Sequence, residues 1–215
     1  MMKKHKGTLI LTSILILLPI LAGILLWKQL PAEIATHFGM DGTPNGWSSK
    51  AFTVFGIPFF LLACQWICFF VTIKDPKHQN ISNKVFHMVL WIIPATSFCL
   101  MISCYGYALG YETSDISIGL ALLGVLFIMI GNYLPKCRQN YTVGIKIPWT
   151  LHDEENWNHT HRFAGFLWVI CGFVLLGNIF LRWDWLIFAV IGVMAAAPIL
   201  YSFLYYVRYG EKKGV

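Results

Sequence analysis

The chain has 215 residues, 57% of them hydrophobic and only 12% charged, with a formal net charge of +6 and a pI of about 9.0. A soluble domain carries roughly a quarter of its residues as charges, so composition excludes an ordinary water-soluble enzyme or binding module and indicates a membrane protein. The basic residues do not gather into one patch with interleaved aromatics, which argues against direct nucleic-acid binding.

A helix rises about 1.5 Å per residue, so roughly 20 apolar residues cross the hydrocarbon core. Six runs qualify, at about 8–27, 52–73, 85–109, 116–134, 163–181 and 185–207. The expected fold class is therefore all-α, a polytopic membrane helix bundle of about six transmembrane helices. The first run follows MMKKHK and imitates a signal peptide, but it is longer than a secretory apolar region and no A-x-A-like site follows it before Lys28. It reads as an uncleaved first span.

The connection 28–50, KQLPAEIATHFGMDGTPNGWSSK, is the sizeable segment on its side of the membrane. PAEIATHF predicts a short helix starting at Pro31, and TPNG predicts a tight turn. The segment reads first as a compact cap over the bundle. The functional alternative is a surface for an external ligand, through His37, Asp41 and Trp47.

Orientation follows from Lys and Arg placement, since positive loops resist translocation. Of the sixteen Lys and Arg, all but Lys28, Lys50 and Arg182 lie on one set of alternate connections. That set includes both ends of the chain and the connection 135–162, so these are expected in the cytosol and 28–50 outside. Most tryptophans, and Tyr205, Tyr206 and Tyr209, fall near span ends, as headgroup-level anchors do.

The spans contain no Asp, Glu, Lys or Arg, the groups an ion-coupled carrier needs at membrane depth. Gln65, His87, Asn132 and Asn178 are the polar exceptions, and they read mainly as hydrogen-bonding groups between helices. Gly106-xxx-Gly110 and Gly192-xxx-Ala196 have the small-xxx-small spacing of close helix packing. Five of the six cysteines fall within spans and Cys137 in a connection; no CxxC occurs, so they read as small packing residues.

The densest polar chemistry lies in YTVGIKIPWTLHDEENWNHTHRFAG, residues 141–165. Gly144 and Pro148 exclude an ordinary helix from its first half, and Ile147 is pushed toward extended geometry by the proline that follows. A helix should begin after Thr150 as N-cap, with Asp153, Glu154 and Glu155 in its first turn where the dipole favours acids. It should run unbroken through Trp157 and His161 into the fifth span. His159 and His161 point apart on a helix, HExxH is absent and no nucleophile–base pair is evident, so neither a metal site, a cofactor nor an enzymatic activity is expected.

NYTVGIKIPWTLHDEENWNHTHRFAGFLWVICG resembles the signature of the SdpI family of bacterial membrane immunity proteins. The matching positions are Asn140, Gly144, Pro148, Trp149, Thr150, Leu151, Asp153, Glu154, Trp157, His161 and Arg162. Lys146-Ile147 departs from the family's more usual Arg-Thr; lysine keeps the charge and loses the planar fork. The external segment is similar to a region of unknown function commonly joined to such a domain. The resemblance divides the chain into an N-terminal two-span unit, 1–84, and an SdpI-like four-span unit, 85–215, in a bacterial cell membrane. It implies protection from a secreted toxic peptide and, as in the namesake system, signalling by holding a cytosolic transcriptional repressor at the membrane. The binding residues it implies are those matching positions other than Leu151, together with Lys146. The partners are then the lipid bilayer, the toxic peptide and the repressor. The alternative is a transporter or channel exporting a peptide or small solute.

Overall fold

The structure is a computed structural model describing residues 2–39, 43–111 and 116–210. Its helices are α1 (Met2–Leu25), α2 (Ile57–Ile73, preceded by a π-turn, Phe52–Gly56), α3 (Asn83–Ala108), α4 (Ile116–Tyr133), α5 (Pro148–His152), α6 (Glu154–Leu181) and α7 (Asp184–Tyr205). Two strands, β1 (Glu33–Phe38) and β2 (Pro44–Ser49), form a hairpin. Among the described residues, six helical segments of 20 to 28 residues are long and apolar enough to cross a membrane. They coincide with the six runs expected from hydropathy. Many of their large apolar side chains point away from the protein: Phe180 is 88% exposed and Phe166 70%. Such surface is costly in water and costs nothing against lipid tails.

The chain folds as two compact units, Met1–Phe70 with His87–Leu122, and Val71–Phe86 with Leu123–Val215. The first has a core of Leu30, Ile34, Val54, Met101, Cys104 and Tyr105. Within it Gln65 donates to Thr12 Oγ1 (2.9 Å) and to the Leu90 carbonyl (3.0 Å), the interhelical use expected of a polar group in a span.

The hairpin corrects two expectations. PAEIATHF is not a helix: Glu33–Phe38 is a strand paired antiparallel with 44–49, from Glu33 opposite Ser49 to Phe38 opposite Pro44. Ile34, Thr36 and Phe38 are β-branched or aromatic, and a ladder partner farther along the chain outweighs weak helix propensity. TPNG is not the turn either. Its last three residues open β2, and the Gly39 amide donates to the Thr43 carbonyl at 2.7 Å. Register irregularities on either side of His37 accommodate Gly46 close against its side chain. Lys50 Nζ donates to the Leu30 (2.6 Å) and Trp27 (3.0 Å) carbonyls, pinning the base of the hairpin to the turn that follows α1.

In the second unit α4 and α6 meet along glycines. A Cβ on Gly124 would lie 2.9 Å from the Gly172 carbonyl oxygen, and one on Gly131 2.8 Å from that of Gly165; the reverse distances are 2.6 and 2.7 Å. Two pairs seven residues apart thus form an antiparallel backbone-to-backbone seam that no larger residue permits. The small-xxx-small spacings noted in the sequence are not this seam, since a Cβ on Gly110 or Gly192 would meet nothing within 4 Å. α6 and α7 are joined by Arg182 in the left-handed region (φ 52°). Asn178 holds that turn, donating to the Trp183 carbonyl (3.1 Å) and accepting from its amide (3.0 Å). Deeper in the pair, Asn156 Oδ1 accepts from Ser202 Oγ (2.8 Å) and Thr160 Oγ1 (2.9 Å), while its amide donates to the Ser202 carbonyl (3.0 Å).

Candidate functional site

The polar stretch after α4 folds back on the start of α6. Asn140 makes the first reversal: its Oδ1 accepts from the amides of Thr142 (2.9 Å) and Val143 (2.6 Å), and its Nδ2 donates to the Arg138 and Val143 carbonyls (2.8 and 3.0 Å). This is an Asx-turn, a use for which asparagine is suited. Gly144 follows with φ 121°, then extended chain to Ile147 and the one-turn helix α5 starting at Pro148. Thr150 Oγ1 accepts from the Ile147 amide (3.1 Å) and lies 2.7 Å from the Ile145 carbonyl, to which it donates.

The long helix does not start at Thr150 and is not continuous from there. The chain breaks at Asp153 (φ −128°, ψ 113°), which is the N-cap of α6 with Oδ1 accepting from the Glu155 amide at 2.9 Å. Asp153 outcompetes the threonine because the Thr150 hydroxyl is already engaged in bracing the extended segment before Pro148. Glu154 and Glu155 then occupy the first turn, as the dipole argument requires.

Trp157 and His161 form the floor. Trp157 is 0% exposed, donates Nε1–H to the Cys137 carbonyl (2.7 Å) and stacks on His161 with ring centroids 4.0 Å apart and planes 18° apart. His161 Nδ1 lies 2.8 Å from the Trp157 carbonyl, and Nε2 accepts from the Ile145 amide at 2.9 Å. An Nε2 that accepts from an N–H carries no proton, so the imidazole is neutral with its proton on Nδ1, engaged on both nitrogens.

Three further residues complete the frame, and sequence reading missed them. Gln139 donates to the Thr150 and Leu151 carbonyls (2.8 and 2.9 Å) and accepts from Lys77 Nζ. Asn80 donates to the Gln139 carbonyl (2.7 Å). Asp75 is buried; Oδ1 accepts from the Lys77 amide (2.7 Å), and Oδ2 from the Tyr141 amide (2.8 Å) and the Thr142 hydroxyl. The one sequence signal was DPKHQN itself, a polar run with an acid and two amides after the second span.

The expected site residues thus sort into two groups. Asn140, Thr150, Trp157 and His161 are buried and Gly144 is half-buried against them, so they build the frame. Lys146, Pro148, Glu154 and Arg162 are exposed, and Trp149 is half-buried beside Phe203 (5.1 Å) and Tyr206 (6.3 Å). Burial also pushes the Cys137 thiol up to about 11. No group of three His, Cys, Asp or Glu suited to a metal occurs among the described residues. In the hairpin of the other unit, His37 bonds Asn45 and Trp47 is exposed; Asp41 lies outside the described residues.

Two family descriptions match this chain: "SdpI/YfhL protein family" over residues 136–202 and "Domain of unknown function (DUF1648)" over residues 14–62. The chain is also 30% identical, over 218 residues and 99% of each sequence, to the Immunity protein SdpI of Bacillus subtilis (strain 168). The chain belongs to the SdpI/YfhL family. It is a multi-pass bacterial membrane protein. No solved structure matches it. The SdpI/YfhL match opens beside Cys137, whose carbonyl receives Trp157, and closes at Ser202, which bonds Asn156. It therefore spans the frame and its anchorage on α7, while Asp75, Lys77 and Asn80 lie outside it.

Proposed function

We propose that this SdpI/YfhL protein is an integral membrane immunity protein that protects its cell from a secreted toxic peptide. The observation that carries this reading is the 30% identity, over 99% of each chain, with a protein named Immunity protein SdpI. In the orientation we adopt, both ends and the connection 135–162 face the cytosol and the hairpin 28–50 faces outward, in keeping with the distribution of Lys and Arg. The 1–84 and 85–215 division belongs to the same proposal; the two family matches lie on either side of it.

The toxin, an apolar membrane-active peptide, meets the hairpin or the bundle. The exposed Lys146, Glu154 and Arg162, with the half-buried Trp149, contact the cytosolic partner, a transcriptional repressor held at the membrane, and the buried frame sets their spacing. Signalling requires that toxin bind one packing of the bundle better than another. No catalytic step enters.

Survival tests it. A host sensitive to an SdpI-type toxic peptide, expressing this chain, should outlive both an empty-vector strain and an Arg162→Ala strain of equal membrane level. Arg162 is exposed, so its loss spares the fold. No protection by correctly inserted wild type would defeat the immunity reading; protection retained by Arg162→Ala would defeat the assignment of that side chain.

A further inference from the structure

Between the start of α3 and the end of α4 the second unit has a cleft of about 290 Å³. One wall is the approach to α3, with Asn80, Ser82 and Lys84; the other is Tyr133, Lys136 and Arg138. Three cations and no acid line it. All three are exposed, and none pairs with a carboxylate among the described residues. Lys136 Nζ lies 5.1 Å from the centre of the Tyr133 ring.

The walls are held in place. Asn80 is fixed by the Gln139 carbonyl (2.7 Å), Ser82 Oγ accepts from the Val85 amide (3.3 Å), and the Arg138 carbonyl is held by Asn140 (2.8 Å). Three like charges gathered on braced backbone repel one another unless an anion lies among them. The beginning of α3 adds the positive end of a 26-residue helix dipole to the same cleft.

Depth selects the anion. Asn83 is the first residue of one membrane-crossing helix, and the crossing segment of α4 ends at Lys136. The cleft therefore opens where spans leave the hydrocarbon, the level of lipid phosphates. Tyr133, amphipathic and suited to that level, lines the cleft with the cations. Asn80 and Ser82 add polar groups for a glycerol-type head.

We propose that this cleft binds the headgroup of an anionic phospholipid, its phosphate among Lys84, Lys136 and Arg138. Basic pockets between helix ends hold such headgroups in other membrane proteins. The site is independent of the immunity reading and of the exposed residues assigned to the repressor.

The test uses the full chain, purified and placed in phosphatidylcholine nanodiscs, with phosphatidylglycerol binding followed by native mass spectrometry. The triple variant Lys84→Gln, Lys136→Gln, Arg138→Gln should bind phosphatidylglycerol at least tenfold more weakly, since each basic residue near an anionic surface contributes a factor of roughly five. The control Lys6→Gln, Lys74→Gln, Arg208→Gln removes the same charge and should stay within about twofold of wild type if the site and not net charge matters. Lys84→Arg with Lys136→Arg should bind as wild type does, and unchanged melting temperatures show that each variant is folded. Equal loss in both triple variants, or none in either, overturns the site. Displacement of the lipid by an equal concentration of inorganic phosphate overturns the lipid as occupant.

Discussion

Gly144 lies so close to His161 that a Cβ on it would collide with Nε2, the nitrogen that receives the Ile145 amide, and would stand 3.0 Å from the Trp157 ring. Its φ of 121° is also a backbone region that L side chains rarely adopt. Gly144→Ala therefore meets both strain and collision, and the imidazole it would displace is held from below by Trp157. The expected loss of stability is about 2–4 kcal/mol. A melting experiment in detergent checks it against Gly177→Ala, where an added Cβ meets nothing within 4 Å. Equal melting points for the two variants would show that the close approach is not what makes glycine necessary.

His161→Ala removes the acceptor for the Ile145 amide and the face on which Trp157 stacks. A part-buried amide left without an acceptor costs about 1 kcal/mol or more, and loss of the ring contact adds to it. The near-ultraviolet circular dichroism of the tryptophans should weaken along with a lower melting temperature. His161→Gln, whose amide oxygen offers an acceptor, should recover part of the loss. If alanine is tolerated without change, the stacked pair does not hold the loop.

The six spans were legible because a membrane helix is announced by local composition: roughly twenty apolar residues suffice, whatever they pack against. Asp153, Glu154 and Glu155 likewise announced a helix start, though the cap moved from Thr150 to Asp153 because the threonine hydroxyl is engaged by Ile145 and Ile147. The β-hairpin was misread since nothing within PAEIATHF states that residues 44–49 will pair with it. The glycine seam was missed for a similar reason. Gly124 and Gly131 are seven apart, and their importance lies in facing Gly165 and Gly172 on another helix. At the candidate site, the motif assembled the correct stretch of chain but could not sort it into frame and surface. That sorting depends on Asp75 and Asn80, some sixty residues earlier, which reach Tyr141, Thr142 and Gln139.

Asp75 carries a prediction of its own. Its carboxylate accepts from the Lys77 and Tyr141 amides and the Thr142 hydroxyl, so Asp75→Asn must turn an NH₂ toward a donor. A destabilisation of about 1–3 kcal/mol follows. Thr142→Val should cost less, and the double variant should show a coupling of about 0.5–3 kcal/mol, because the two side chains share one bond. Strictly additive losses would mean that this contact does not tie the 74–82 segment to the loop.

Helix approach at the seam makes a steric prediction. Gly165→Leu places a branched side chain where a Cβ already meets the Gly131 carbonyl oxygen at 2.7 Å and Pro135 at 2.6 Å. Both contacts are rigid, backbone or proline ring, so α4 and α6 must part. A loss of several kcal/mol, in the range of about 3 or more for overpacking against backbone, should appear as failure to accumulate in the membrane. Gly192→Leu, facing no neighbour within 4 Å, should accumulate as wild type does. Equal levels would place the real helix contact elsewhere.

Cys137 supplies the pH prediction. Its sulfur is buried, donates to the Tyr133 carbonyl at 3.5 Å, and burial raises its pKa to about 11. Only the thiolate attacks an alkylating reagent, and desolvation disfavours that charged form, so the shift is upward and reactivity falls. An unperturbed thiol, with a pKa of about 8.5, would be mostly thiolate at about pH 9.5. Cys137 should remain almost unlabelled by iodoacetamide there, gaining reactivity only as pH approaches about 11. After denaturation in detergent it should label with the pH profile of an ordinary cysteine. Peptide mass spectrometry on the five-fold variant that keeps only Cys137 reads this directly. Rapid native labelling at about pH 8, below the ordinary thiol pKa, would mean that the loop opens and exposes the sulfur faster than the reagent reacts. Trp157, bonded to the Cys137 carbonyl, would then not be what closes it.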